Sequence, residues 1–236
     1  MKINRLPLLL ALAAVVLLAV SGLGARFELW SFRTGFQMLR WAAYGGLAAA
    51  AVGLLTLALP KLRASAAGSL VFSIMLGLGT AYLPWHWSQQ AKTLPPIHDI
   101  STDLTDPPEF VAILPLRADA PNPATYGGAD VATAQRTSYP DIQSLPLTLP
   151  PTDTFSRALA AADAMGWKLV ATDAATGRIE ATATTFWFGF KDDVVVRIRP
   201  AADGSVLDVR SVSRVGKSDV GTNAKRIRAY LAKVAG

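Results

Sequence analysis

Residues 6–24 read LPLLLALAAVVLLAVSGLG, without one charged side chain. The same holds for WAAYGGLAAAAVGLLTLAL at 41–59 and for AAGSLVFSIMLGLGTAYLPW at 66–85. Each run is close to the ~20 residues a helix needs to cross a hydrocarbon core of about 30 Å. Three such runs inside the first ninety residues do not fit the core of one soluble domain. They are expected to be spans at about 6–24, 41–59 and 66–85, joining the chain to a lipid bilayer. Glycine and other small residues recur in all three, which suits close helix packing in lipid. Tyr82, Trp85 and Trp87 close the third run, where an aromatic belt would lie. Lys2, Arg5 and the small residues at 21–25 would also fit a cleaved signal peptide. The apolar stretch is long for that and no A-x-A pattern follows, so an uncleaved helix is the expectation.

Orientation follows from where lysine and arginine fall. Lys2 and Arg5 precede the first run, Arg26, Arg33 and Arg40 lie between the first and second, and Lys61 and Arg63 between the second and third. With the N-terminal pair dominant, the N-terminus is expected in the cytoplasm. Three crossings then put everything after Trp87 outside. Loss of the first run as a signal would leave that side unchanged.

A sequence pI near 9.8 suggests a nucleic-acid partner. The distribution of charge removes the suggestion. Residues 1–92 hold 8 Lys/Arg against one Glu, whereas 93–236 hold 15 against 16 Asp/Glu. The positive charge lies beside the apolar runs, and the remainder has no basic arm, so no nucleic acid is expected. The chain contains no cysteine, which excludes disulfides, thiol catalysis and cysteine metal sites.

The soluble part divides at about residue 151. Eleven prolines between 95 and 151 make helices improbable there, and 93–151 reads as a linker and extended wrap. EFVAILPL at 109–116 and SLPLTL at 144–149 are apolar enough for edge strands. Residues 93–163 carry 9 acids and 3 bases, and 164–236 carry 7 acids and 12 bases, so the first piece is expected to wrap the second. From 152 the pattern is regular. Thr152 or Asp153 caps a helix with Phe155, Leu159, Ala162 and Met165 on one stripe, ended by Gly166. Strands follow at 167–172, from Arg178, at 193–199 and at 206–214, with turns at Gly177 and Asp203-Gly204. A last helix starts near Ser218 and buries Val220, Ala224, Ile227, Leu231 and Val234. The fold class is α+β: after the three transmembrane helices and the proline-rich lead comes a two-layer domain, 152–236. Its four-stranded antiparallel sheet carries both helices on one face in the order α-β-β-β-β-α.

The segments GRIEATATTFWFGFKDDVVVRIRP, DVRSVSRVGKSDVGTNAKRIRAYL and YPDIQSLPL resemble the bacterial family called domain of unknown function 1499, over roughly residues 97–235. The three-span lead is similar to that of membrane-anchored members. The resemblance implies domain limits and a location: a bacterial inner membrane, with the N-terminus in the cytoplasm and the C-terminal domain in the periplasm. It carries no catalytic residues.

Alternation puts Arg178, Glu180, Thr182 and Thr184 on one sheet face and Ile179, Ala181 and Ala183 on the other, toward the helices. Carried on, the phase places Phe186, Phe188 and Phe190 on the polar face, with Trp187 inward. Three readings stay open. The proline-rich segment covers the phenylalanines with Val111, Ile113 and Leu147; or they form a lip against lipid, ligand or partner; or a bulge near Thr185 or Gly189 flips the register. The same face carries Arg197, Arg199, Asp208, Arg210 and Arg214, with Lys217 near. These are either cross-strand ion pairs or an anion site, since guanidinium forks suit carboxylate and phosphate. An anionic lipid or an envelope protein partner fits the second reading.

Catalytic patterns are sparse. His86 sits between two tryptophans at the end of the third span. His98 opens HDISTD, where Asp99, Asp103, Asp106 and Glu109 cluster in an order that matches no calcium loop. Asp192 and Asp193, being adjacent, point to opposite faces. GKS at 216–218 lacks the glycine a phosphate loop needs, since position 211 is serine. No cofactor or metal is expected. The expected function is a non-catalytic binding or interaction module on a membrane anchor, with Arg197, Arg199, Arg210, Arg214, Lys217, Phe186, Phe188 and Phe190 as candidate ligand-binding residues. The alternative is an envelope hydrolase or transferase built on Asp192, Asp193 and His98.

Overall fold

The computed structural model describes residues 3–63 and 66–236. Lys2, one of the two residues used for orientation, lies outside the described residues. The chain forms two compact units, one of Met1–Lys92 with Phe186–Gly189 and one of Thr93–Thr185 with Phe190–Gly236.

The first unit contains α1 (Leu6–Arg26), α2 (Phe32–Ala58), the single turn α3 (Pro60–Arg63) and α4 (Ala67–Thr93). The helices α1, α2 and α4 are long and apolar enough to cross a membrane. The helix that carries the second apolar run begins ahead of it, at Phe32, so Arg33 and Arg40 lie within α2 instead of in a loop. The cause is Ser31, whose hydroxyl accepts from the Thr34 amide at 3.2 Å and caps the helix ahead of its apolar run. The turn between α1 and α2 is therefore only five residues, 27–31. Glycines let α2 and α4 approach closely: a Cβ at Gly46 would stand 2.5 Å from the Gly77 carbonyl oxygen. Thr56, Ser73 and Thr80 return their hydroxyls to carbonyls one turn back at 2.6–2.8 Å. No polar side chain among these three is left unmatched in an apolar surrounding.

The second unit runs β1 (Asp99–Ser101), α5 (Gly128–Ser138), β2 (Leu145–Leu147), α6 (Pro151–Ala164), β3 (Lys168–Asp173), β4 (Arg178–Thr184), β5 (Lys191–Ala201), β6 (Gly204–Ser213) and α7 (Thr222–Ala235). The sheet is antiparallel with six strands, not the four expected. The last four are the regular ones. The other two, β1 and β2, are three residues each and pair with different stretches of β6, closing the edge it would otherwise expose. The strand β2 falls inside the edge strand expected at 144–149, whereas the three residues of β1 carry too little periodicity to be read as one.

Other expectations are corrected in the lead segment. Residues 109–116 are turn and 3-10 helix, not an edge strand. The helix α5 forms where none was expected, in the proline-free stretch 124–139. At α6 the cap is Pro150 and the helix opens with Pro151, whose fixed φ suits a first turn. The last helix starts at Thr222, not near Ser218. Asp219 takes the capping role, accepting the amides of Gly221 and Asn223 at 2.9 and 2.6 Å, so Val220 lies outside the helix.

Both α6 and α7 pack on the inward sheet face. Ile179, Ala181, Ala183, Val194, Val196, Ile198, Leu207 and Val209 meet Ala158, Ala162, Ile227, Tyr230 and Val234 in one buried cluster. Trp167 stacks on Tyr230 at 4.7 Å, and the Tyr230 hydroxyl donates to the Ala158 carbonyl at 2.9 Å. The outward face is covered too. Phe110 and Ile113 from the proline-rich segment pack on Val195 and Val212. The domain is thus helices, sheet and an irregular cover, a third layer beyond the two expected.

Candidate functional site

Beneath that cover the outward face is a mosaic of opposite charges. Asp99 receives the Arg210 guanidinium through both oxygens, at 2.9 and 2.7 Å. Arg210 is 1% exposed and gives further hydrogen bonds to the carbonyls of Pro108 and Ala124. The rings of Phe110 and Tyr126 each lie 5.3 Å from its central carbon. Asp193 receives Arg117 at 2.6 Å, Arg214 at 2.8 Å on each oxygen and the Thr182 hydroxyl at 2.7 Å. Glu180 is held by the amides of Val111, Ala112 and Ile113 at 2.9–3.2 Å, with Arg178 at 3.3 Å. A buried charge without such partners would cost several kcal/mol, so the cover and the face specify one another. Burial and the nearby Asp99 charge raise Tyr126 to about 12, so its phenol stays neutral.

At one end this network reaches a surface groove of about 640 Å³. Thr102, Asp103, Leu104 and Thr105 form one wall, and Arg136, Tyr139, Pro140, Ile142, Gln143 and Ser144 the other. Asp208 ties the walls together: one oxygen accepts the Ser144 hydroxyl at 2.5 Å and the Thr102 hydroxyl at 3.4 Å. Its other oxygen accepts Arg197 at 3.0 Å and Arg199 at 2.8 Å. The same two arginines reach Asp103 at 3.1 and 3.2 Å. Burial by itself would raise the Asp103 carboxyl. The amides of Asp106 and Thr105 and the fields of Arg197 and Arg199 outweigh that and hold it below the usual carboxylate range. Arg136 is exposed and is the cation of the groove rim.

The residues singled out in the sequence are thus dispersed. Arg197 and Arg199 stand together, facing three carboxylates, Asp103 of the groove wall, Asp106 and Asp208. Arg210 is enclosed with Asp99, and Arg214 lies on Asp193. Lys217 is exposed, with its carbonyl oxygen 3.4 Å from His98 Nδ1. Asp192 turns to the helix side and pairs with Arg226 at 2.6 Å. The strand β4 ends at Thr184, and Phe186–Gly189 belongs to the helical unit, so the phase assumed for the phenylalanines does not continue. Phe186 is 83% exposed and Phe188 6%. The Phe190 amide donates to Thr185 Oγ1 at 2.9 Å, which closes the loop. Of the residues expected to cover the phenylalanines, Ile113 packs on Val195 and Val212, and Val111 is exposed. Leu147 packs with the helix-side core.

Sequence reasoning missed Arg117, Arg226 and the groove residues Arg136, Gln143 and Ser144, and it named Asp99 only in an acidic cluster, not as the partner of Arg210. The one available signal was Arg117 itself, a lone cation in the apolar run VAILPLR, which is unusual unless a buried carboxylate answers it.

Three helices able to span a membrane, followed by an antiparallel sheet with helices on one face and an ion-paired cover on the other, define an α+β domain behind a set of membrane-capable helices. Residues 99–234 match the family described as "Protein of unknown function (DUF1499)", and the chain belongs to that family. The match takes in every strand and most of α7, close to the limits read from the sequence. No curated protein matches the chain.

Proposed function

We propose that this is a bacterial inner-membrane protein with a cytoplasmic N-terminus, whose soluble unit is a non-catalytic binding module in the periplasm. The observation that carries the reading is the groove beside Asp208. Its walls are fixed from below by charge-assisted hydrogen bonds, and Arg136 and Gln143, both exposed, line it. Pre-set polar groups on a rigid frame suit recognition of a polar partner. Arg136 favours an anionic one, such as a carboxylate- or phosphate-bearing envelope component. Arg197 and Arg199 act here as positioning residues for Asp103 and Asp208.

The carboxylates on which a hydrolase or transferase would rest, Asp192 and Asp193, point to opposite faces, and each is held by arginine. A photo-reactive residue at Gln143 in the full chain, expressed in cells, should form an adduct that an Arg136→Glu change abolishes. An adduct indifferent to that change would overturn the groove as the site. His98→Ala breaks no ion pair. Loss of cellular function from it alone, at normal protein level, would favour the enzyme. Orientation is tested separately: a reporter active only in the cytoplasm, fused after Gly236, should be silent.

A further inference from the structure

The helical unit is completed by four residues that lie far from it in sequence. Trp187 occupies a slot at Gly22 of α1, where any Cβ would overlap the indole ring. Its Nε1 donates to the Ala19 carbonyl at 3.0 Å. Phe188 fills a second slot on α2: a Cβ at Gly35 would come within 2.8 Å of its ring. That ring lies 5.1 Å from Phe36 and 5.4 Å from Trp187, and Trp187 lies 5.3 Å from Trp87 of α4. Arg26 donates to the Phe186 carbonyl at 2.6 Å and holds its guanidinium 5.8 Å from the Phe186 ring. Gly189 has φ 68, and a Cβ there would meet the Arg26 backbone at 2.9 Å. The glycines of α1 thus serve a purpose different from Gly46 and Gly77, since they receive aromatic rings instead of a helix.

All these contacts fall at one end of the bundle: the last turns of α1, the first of α2 and the last of α4. If the helices span, that end is a membrane–water boundary. Phe186 is almost fully exposed there, and so are Phe27 at 67% and Leu29 at 72% on the α1–α2 turn. Exposed rings beside Arg26, with half-buried Trp187 and buried Phe188 beneath, match the mixed chemistry of the headgroup layer, where apolar rings sit beside phosphate.

We infer that Phe186–Gly189 is an interfacial membrane segment: Trp187 and Phe188 are seated in the Gly22 and Gly35 slots, and Phe186, with Phe27 and Leu29, inserts into the headgroup–acyl boundary of the leaflet at that end. The inference rests on the spans but not on the groove, so either can fail alone.

The absence of cysteine gives a clean test in the full chain reconstituted into anionic phospholipid nanodiscs. A spin label at Phe186→Cys is compared with one at Ala202→Cys in the β5–β6 turn. Collision with oxygen should exceed collision with a water-soluble nickel complex at 186, and the reverse should hold at 202. Gly22→Leu, which fills the slot, should move the 186 label to the aqueous pattern. Trp187→Phe keeps the ring and loses the hydrogen bond to Ala19. It should shift the label partway without loss of protein, which covers the case where Gly22→Leu fails to assemble. A water-like label at 186 in the otherwise native chain overturns the inference. So does spin–spin broadening there, which would mean that a second copy covers Phe186. An unchanged label after both slot variants removes the seating.

Discussion

Arg210 shows how far a single residue can commit this domain. The guanidinium is enclosed by Asp99, two carbonyls and two rings, so neither ion is free to return to water. Arg210→Ala leaves Asp99 buried alone and should destabilise the full chain by roughly 3–5 kcal/mol, read by urea unfolding. Arg210→Met with Asp99→Leu removes both charges and should recover most of that loss, because the desolvation cost vanishes with the attraction. Loss of the same size in the double variant would show that shape, not charge, sets the cost. Two aspartates give opposite pH signs. Asp103 is held below its ordinary range, so its contribution is present above about pH 4 and is lost as acid protonates the folded form. Burial raises Asp219, against the amide hydrogen bonds from Asn223 and Gly221, and Asp192 adds to the rise. The folded state therefore keeps that proton longer, and stability falls as pH climbs through the raised value. Asp103→Asn should flatten the acid limb of a stability–pH curve, and Asp219→Asn should flatten the limb above it. A curve unmoved by either would contradict both assignments.

Elements differ in how openly the sequence announces them. The strands β4, β5 and β6 were legible because alternation and the turn residues Gly177 and Gly204, at φ 64 and 140, agree with one another. The run DVVVRI in β5 was also a sign of burial on both faces, since residues 192–196 are all buried. The strand β1 was hidden because a side chain does half its pairing. Gln135 of α5 accepts from the Ser101 amide at 3.0 Å and donates to its carbonyl at 2.6 Å, standing in for a further strand. No local pattern encodes an amide from thirty-four residues away. Gln135→Leu leaves two buried backbone groups without partners, at about 1–3 kcal/mol each. Hydrogen exchange at 99–102 should then rise well before global unfolding. Unchanged protection there would mean that the glutamine is dispensable to the edge. Of the candidate site, the arginines and Asp208 were visible on one face, but the pairing of Asp99 with Arg210 and of Asp103 with Arg197 and Arg199 was not, because those aspartates reach the face from a proline-rich segment with no period to follow.

At the scale of the whole molecule, the β4–β5 loop is counted with the helices and the strands on either side of it are not. Residues 93–236 produced without the spans should therefore fold around the helix-side core yet present Trp187 and Phe188 to water. Self-association in size-exclusion chromatography is the expected result, with Trp187→Ser and Phe188→Ser together restoring a monomer. A native-sequence fragment that runs as a monomer would speak against this. Synthesis meets the same arrangement as a delay. The ribosome reaches residue 189 about 130 residues after it finishes α2, roughly 7–26 s at ordinary elongation rates. If the three helices insert as they are made, the Gly22 and Gly35 slots stand empty during that interval. A protease that inspects newly inserted helices has that window to act, and a ribosome stalled before Phe186 leaves it open for good.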